Sequence, residues 1–286
     1  MRFGFIYPGD DPVVAVELAA LAERSGWDAF FVWEGIWATD PWSVLAAAAV
    51  RTDAIRLGTM LTPVPRRRPW ELASQAATVD RLSGGRVILS AGLGVPQTAE
   101  ERFWLFEDDP GRRERAERLD ESLDLIERLW RRDASGFDGR HWRMRPTERL
   151  IPPPPVQQPR IPTWVVGVWP APKSMRRVAR YDGWIPNYAP PGTPVTPEAP
   201  GYTPAVAAEA IAWLRDERAR LGLADRPFDV TQEGTTGGTD AAADAARVRP
   251  WAEAGATWWL EADWSVTPDR IADYARTRIA AGPPRW

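Results

Sequence analysis

The chain has 286 residues, of which 44% are hydrophobic and 26% are charged, a balance typical of a globular protein that buries a large core. Its formal net charge of −3 provides no general attraction to nucleic acid or to an anionic membrane surface, so we expect neither as a partner. The absence of cysteine excludes disulfides and thiolate chemistry, and the single histidine, His141, excludes a polyhistidine metal site, so no metal is predicted.

Short apolar strands alternate with amphipathic helices along the chain. Strands are predicted at residues 3–7, 28–33, 55–61, 86–91, 163–167, 183–187, 228–233 and 257–261. A helix follows each strand; the first has a start signal at Asp11 and Pro12 and ends at Gly26. Eight such units predict a single α/β domain over residues 1–286 that closes as a (β/α)8 TIM barrel, with an open doubly wound sheet as the alternative.

Several connections are longer than a minimal barrel needs. We predict insertions after strand 4, at residues 95–111, and after strand 6, in the proline-rich stretch 190–204. A further excursion at 135–158 contains a predicted hairpin with His141, for which a structural role is expected. Long loops on a barrel usually carry function or cover the site.

No stretch of the sequence reaches about 18 uninterrupted apolar residues, the length that a membrane span requires. Residues 1–10 also lack the pattern of a signal peptide. The chain is therefore predicted to be cytoplasmic.

The C-terminal ends of barrel strands meet at one mouth, where barrel enzymes have their active sites. At these ends and in the first insertion, the residues expected to line a substrate pocket are Trp33, Trp37, Trp104, Asn187, Glu261 and Trp264. The prevalence of tryptophan in this set favours an apolar or aromatic substrate. Glu233, which ends the seventh strand, also belongs to this ring of candidate-site residues, although no individual role is assigned to it. Glu34 is the candidate catalytic base, because burial raises the pKa of a carboxyl group, although it could instead pair with an arginine.

Four segments resemble one known family. They are LGTMLTPVPRRRP with ELASQAATVDRLSGGRVILSAGLG (57–94), ERLDESLDLIERLW with FDGRHW (117–142), PPPPVQQPRIPTWVVGVWP (152–170) and ARYDGWIP (179–186). Over residues 1–186 the chain resembles the bacterial luciferase-like monooxygenase superfamily. The resemblance implies an oxidoreductase, usually a homodimer, that binds FMN or F420 and acts on a small organic substrate by hydride transfer or by activating dioxygen.

The resemblance also implies positions for the cofactor. Similar proteins have a non-proline cis peptide behind the central cofactor ring, which corresponds here to the Met60–Leu61 bond, followed by Thr62. Gly92 and Gly94 would allow the backbone to approach a ligand closely, although a tight turn also explains them. The phosphate site of similar proteins corresponds here to Gly167, Val168, Trp169, Lys173, Ser174 and Arg177, and Lys173 is the only lysine in the chain.

The chain departs from the family pattern after the second strand, where many relatives have Asp-His and this sequence has Glu34 followed by Gly35. The departure removes the usual proton donor near the cofactor ring and weakens the F420 dehydrogenase interpretation. FMN and F420 both stay open. Two further hypotheses are a flavin-binding barrel without turnover and a glycosidase that uses Glu34 and Glu261 as an acid and base pair.

Overall fold

The structure, a computed structural model, describes residues 1–95, 104–149, 153–190, 192 and 201–284. In chain order the strands are β1 (Arg2–Tyr7), β2 (Ala29–Val32), β3 (Arg56–Thr59), β4 (Thr62–Pro63), β5 (Val87–Gly92), β6 (Phe137–Asp138), β7 (Arg143–Met144), β8 (Thr163–Trp169), β9 (Gly183–Tyr188), β10 (Asp229–Gly234) and β11 (Trp258–Glu261). The helices are α1 (Pro12–Arg24), α2 (Pro41–Ala49), α3 (Pro69–Leu82), α4 (Gly111–Trp130), α5 (Pro172–Ala179), α6 (Pro204–Arg220), α7 (Ala241–Glu253) and α8 (Ile271–Ala280). Every predicted strand and helix is present.

Parallel strands close into a ring. Neighbours pair in the order β3, β2, β1, β11, β10, β9, β8 and β5, and β5 pairs with β3 to complete the ring. The short strand β4 continues β3 and also pairs with β5. The (β/α)8 barrel is therefore confirmed, and the open-sheet alternative is wrong.

The order of the strands places β3 and β10 opposite each other across the barrel. On one side β2, β1 and β11 separate them, and on the other side β5, β8 and β9 do so. Side chains that point inward from the upper ends of β3 and β10 therefore face one another across the mouth.

Alternation along the strands sorts their side chains into an interior layer and an outer layer. Phe31, Trp164 and Leu260 belong to a cluster inside the barrel, whereas Phe30 and Val165 pack between the strands and the helices. Burial on both faces explains why the strands are nearly continuous apolar runs. Each large side chain buried in this way contributes about 1.5–3 kcal/mol to the free energy of unfolding.

The helix starts follow from local sequence. Asp11 Oδ1 accepts hydrogen bonds from the backbone N–H groups of Val13 and Val14, at 2.9 and 3.1 Å, and Pro12 occupies the first position of α1. Asp40 caps α2 in the same manner through Ser43 N at 2.7 Å. These caps satisfy N–H groups that have no partner within the helix.

No helix in the described ranges is long and apolar enough to cross a membrane.

In the excursion at 135–158, the described residues of the hairpin pack against the helices. The backbone N–H groups of Arg140, His141 and Trp142, on and beside the β6–β7 hairpin, donate to the carboxylate of Glu121 on α4. Trp142 also contacts Trp70 edge-on, with ring centroids 5.7 Å apart. The expectation that this segment covers the site is wrong, because its polar groups are tied to the outside of α4. The structural role predicted for His141 agrees with this position.

Both predicted insertions lie partly outside the described residues, at 96–103 and at 191 with 193–200.

Candidate active site at the barrel mouth

Register decides which side chains at the strand ends face the mouth. Residues paired in register on parallel strands point to the same side of the sheet. Glu233 pairs in register with Leu260, which is an interior residue. Asn187 lies two residues after the interior Ile185 on the same strand, and it pairs in register with Val168. The inward positions nearest the mouth are Trp33, Met60, Gly92, Val168, Asn187, Glu233 and Ala262. They form an apolar ring with one carboxylate and one amide.

Glu34 is held by two partners. Arg67 Nε donates to Oε1 and Thr62 Oγ1 donates to Oε2, both at 2.7 Å, and the side chain is only 6% exposed. Burial raises the pKa of Glu34, while the Arg67 charge and the two hydrogen bonds oppose that rise. Glu34 therefore has the arginine partner of the alternative interpretation, and the candidate base is not free.

The prediction for Thr62 also differs from the structure. The side chain is fully buried, and its hydroxyl lies 2.8 Å from Thr59 Oγ1 as well as bonding Glu34. With both interactions made inside the protein, its hydroxyl supports the loop and is not available to a ligand.

Apolar groups line the upper ends of β3, β5 and β8, and these groups are called the wall below. The Met60–Leu61 bond is cis, as the resemblance implied. Gly92 faces this bond: a Cβ built there would lie 2.7 Å from Leu61 Cδ1 and 3.1 Å from Val166 Cγ2. Gly94 has φ +76, a conformation that L side chains rarely adopt. Beneath Gly92, the hydroxyl of buried Ser90 has no hydrogen-bond partner among the described residues.

The start of α5 lies beside this wall. Its N-cap residue, Ala171, provides no side-chain hydrogen bond to the first N–H groups of the helix. Ser174 Oγ accepts from Val168 N at 3.0 Å, which ties the helix start to the end of β8. Lys173 is exposed on the first turn. A helix start with unsatisfied N–H groups and an adjacent ammonium favours an anion.

Two strand residues predicted at the phosphate site face the helices instead. A Cβ on Gly167 would collide with Val178 and lie 2.8 Å from the Trp184 ring nitrogen. Trp169 packs on Trp213 of α6, with ring centroids 6.2 Å apart. These orientations follow from alternation, because Val168, between Gly167 and Trp169, is the residue that points inward.

Arg177 has a structural partner. Its guanidinium donates through Nε and a terminal nitrogen to both carboxylate oxygens of Asp120 on α4, at 2.5 and 2.8 Å. The side chain therefore joins α5 to α4, and the prediction that it faces a phosphate differs from this geometry.

Glu261 does not line the mouth. Its fully buried carboxylate accepts hydrogen bonds from Thr236 N, Thr236 Oγ1 and Trp259 Nε1, at 2.6, 2.7 and 3.0 Å, and Arg278 Nε of α8 lies 3.3 Å away. Glu261 belongs to the outer face of β11, so the pocket prediction for it is wrong. The glycosidase hypothesis fails for the same reason, because Glu261 faces α8 and Glu34 is bound to Arg67.

The predicted aromatic lining divides into exposed and covered rings. Trp37 is 89% exposed and its ring centroid lies 6.0 Å from that of Phe106, also exposed. Trp104 is 7% exposed, and the guanidinium groups of Arg66 and Arg115 each lie 5.6 Å from its ring centroid. Trp104 therefore packs inside the loop, and Trp37 contributes to an apolar rim.

Among the described strand ends, Glu233 is the inward carboxyl group at this end of the barrel; the sequence predicted its place at the mouth but no role for it. Trp264, which is 49% exposed, donates its indole N–H to Glu233 Oε1. The Glu233 side chain is exposed to solvent. The protein packed around its carboxyl group raises the pKa of Glu233, and the Trp264 hydrogen bond partly opposes the rise. Its inward orientation follows from its pairing with the interior residue Leu260 on the neighbouring strand. That pairing is known only once the register of the strands is known.

Comparison with known proteins decides the family. The sequence model described as luciferase-like monooxygenase matches residues 4–195. The chain belongs to this family. A putative coenzyme F420-dependent oxidoreductase of Mycobacterium tuberculosis is 30% identical over 216 residues, covering 72% of this chain and 56% of that protein. An F420-dependent glucose-6-phosphate dehydrogenase of Nocardia farcinica is 35% identical over 145 residues, covering 46% and 42%.

The chain spans about half the length of the curated relatives it matches. Two solved structures share its fold over nearly the whole chain. A monooxygenase from Streptomyces bottropensis aligns with a TM-score of 0.72 at 20% identity, covering 98% of each chain. The F420-dependent tetrahydromethanopterin reductase of Methanopyrus kandleri aligns with a TM-score of 0.73 at 17% identity, covering 98% of this chain and 97% of that one.

For a luciferase-like protein, this site departs from the usual pattern at Gly35. A Cβ on Gly35 would lie 2.6 Å from the ring of Trp33, so the tryptophan occupies the space that a side chain at position 35 needs. The Trp33 ring thus lies where the resemblance had led us to expect an imidazole. Any proton that this site moves must be carried by another residue.

Proposed function

We propose that the chain is an oxidoreductase that binds F420 at the wall formed by β3, β5 and β8 and exchanges a hydride with a small apolar substrate. The observation that carries the proposal is the close packing at Gly92, where Leu61 and Val166 already fill the space that a side chain would need. A flat ring needs such a surface without projecting side chains. The F420-dependent relatives support F420 over FMN.

The residues at the wall fit this kind of cofactor. Met60, Leu61 and Val166 supply apolar contact to one face of a ring, and the unpartnered hydroxyl of Ser90 is a polar group beneath it. The open start of α5 suits a phosphate, with Lys173 adding a full charge. When bound, a deazaflavin supplies the acceptor or donor of the hydride. The protein's own part is to bind, orient and exclude water.

Titration of the purified protein with F420 and with FMN, each followed by the change in cofactor fluorescence, tests the proposal. We expect F420 to bind more tightly. Lys173→Ala should weaken F420 binding about tenfold, equivalent to about 1.4 kcal/mol, because the variant loses the positive charge that attracts the phosphate. Arg176→Ala is the matched control, because Arg176 is exposed on the same helix and lies near Glu217 of α6.

Each result has a distinct meaning. Binding of neither cofactor would overturn the proposed function. Tighter binding of FMN, with consumption of dioxygen, would favour the monooxygenase branch of the family. Equal loss of affinity in Lys173→Ala and Arg176→Ala would remove the phosphate site from the start of α5. Binding of F420 without any turnover would favour a cofactor-binding barrel that has lost its activity.

A further inference from the structure

Glu233 lies on the strand opposite the wall proposed for the cofactor. Its strand, β10, is diametrically across the ring from β3, which leads into Met60 and Leu61. A ring stacked on that wall presents its other face to the far side of the mouth. A substrate that reacts at this face therefore lies between the ring and the inward side chains of β9 and β10.

Among the described residues, Asn187, Glu233 and Trp264 provide polar groups on that far side. Asn187 of β9 is level with Glu233 when the register between Gly183 and Asp229 is continued along both strands. Trp264 donates to one oxygen of the Glu233 carboxylate. The second oxygen accepts no hydrogen bond from the described residues, so it is available to a substrate.

We propose that Glu233 is the catalytic residue that takes or gives the substrate proton, with Trp264 holding its carboxylate and Asn187 contacting the substrate oxygen. The inference rests on the proposed function, because it needs the cofactor at the opposite wall. It supplies the proton carrier that the chain lacks at Gly35 and that Glu34 cannot provide while bound to Arg67 and Thr62.

The reaction balances for an alcohol substrate. The substrate C–H bond breaks and its hydrogen leaves with the electron pair for the oxidised cofactor. The hydroxyl O–H bond breaks and its proton goes to the Glu233 carboxylate, while the C–O bond becomes a carbonyl. The alcohol is oxidised and the cofactor reduced. In the reverse direction protonated Glu233 returns the proton to the carbonyl oxygen.

The same geometry points to an uncharged substrate. A carboxylate without a cationic partner repels an anionic group placed beside it. The exposed rings of Trp37, Phe106 and Trp264 on the rim bind apolar groups. We therefore assign the substrate class as a secondary alcohol or ketone with apolar substituents, in contrast to a sugar phosphate.

The titratable groups near Glu233 have other partners and do not set its protonation. The titratable groups on the neighbouring elements are Tyr188 of β9, Glu261 of β11 and Asp263 after β11. Tyr188 stacks against Tyr202, Glu261 pairs with Arg278 on the outer face, and Asp263 accepts from Ser265. Only the protein packed around its carboxyl group and the Trp264 hydrogen bond shift the pKa of Glu233, in opposite directions.

Kinetics of the F420-loaded protein test the proposal with a benzylic secondary alcohol, cyclohexanol, their ketones and glucose 6-phosphate. Glu233→Gln should lower kcat about 100-fold or more while the F420 dissociation constant stays within about twofold. Glu253→Gln, which makes the same change at an exposed site on α7, should match the wild type. Glucose 6-phosphate should not react.

The pH profile separates a catalytic role from a structural one. Alcohol oxidation needs the carboxylate, so its rate should rise with pH through the pKa of Glu233, above the ordinary range of a glutamate. Glu233→Gln should abolish this limb. Trp264→Phe removes the hydrogen bond that lowers the pKa and should move the limb to higher pH.

A readout independent of turnover is the NMR titration of carboxyl-labelled glutamate. Glu34 and Glu233 should both titrate above the ordinary range, and only the Glu233 resonance should vanish in Glu233→Gln and move to higher pH in Trp264→Phe. F420 binding with turnover but an unchanged profile in Glu233→Gln would overturn the inference and leave the proposed function intact. F420 binding with no reaction of any alcohol or ketone would also overturn it. Failure to bind F420 would remove the proposed function first.

Discussion

The Glu34 carboxylate, just after β2, forms an ion pair with Arg67. Arg67 Nε lies 2.7 Å from a carboxylate that is almost fully buried, and Gln75 accepts a further hydrogen bond from Arg67 at 3.1 Å. Such a pair contributes little net stability, but removal of one partner leaves the other charge buried and uncompensated. The pair therefore holds the loop after β3 in place, and loss of either partner should lower the free energy of unfolding.

Arg67→Ala is expected to lower the free energy of unfolding by about 3 kcal/mol near pH 8. The folded-state pKa of Glu34 is already raised, and loss of Arg67 raises it further. A raised pKa contributes stability that is present at low pH and lost as the pH rises, so the effect should shrink near about pH 5. Urea unfolding at the two pH values measures it.

Arg68→Ala is the matched control for this substitution, because Arg68 is exposed on the same loop. We expect it to change stability by less than about 0.5 kcal/mol. Equal stabilities of the Arg67 and Arg68 variants would contradict the buried-pair interpretation.

At the scale of elements, single arginines tie neighbouring β/α units together. Arg86, directly before β5, donates hydrogen bonds to Ile55 O at 2.7 Å, Thr52 O at 2.7 Å, Ala49 O at 2.9 Å and Ser83 O at 2.7 Å, and to Thr52 Oγ1 at 2.9 Å. These acceptors are backbone and side-chain oxygens at the ends of α2 and α3 and the start of β3. One planar guanidinium thus satisfies several chain ends at the N-terminal side of the barrel.

Arg86→Lys is expected to lower the free energy of unfolding by about 3 kcal/mol, although the charge is kept. A lysine ammonium cannot reproduce the fork of donors, and buried carbonyl groups lose their partners. Arg81→Lys, on the exposed face at the end of α3, should have little effect. Urea unfolding of both variants decides the matter, and a silent Arg86→Lys would show that the charge alone suffices.

At the scale of the whole molecule, the mouth gathers side chains from all parts of the chain, from Trp33 to Trp264. A ligand that binds there only in the folded state stabilises the entire barrel through mass action. F420 at about 100 times its dissociation constant should add about 2.7 kcal/mol, which raises Tm by about 5 °C for a chain of this length.

Thermal unfolding with and without F420 measures this shift. Lys173→Ala should show a smaller rise at the same F420 concentration, and Arg176→Ala should match the wild type. Absence of any shift for the wild type at saturating F420 would mean that the mouth does not bind the cofactor.

The sequence by itself determined the order and bounds of the β/α units and the family, because apolar runs, caps and prolines are local signals. It also located the Met60–Leu61 bond and the open start of α5. Only the tertiary structure decided which side chains face the mouth. In strands buried on both faces the apolar pattern does not tell the inner face from the outer one, so Glu261 was expected in the pocket and Glu233 was left without a role. The register that closes the ring settles their orientation, since a shift of one residue exchanges the two faces.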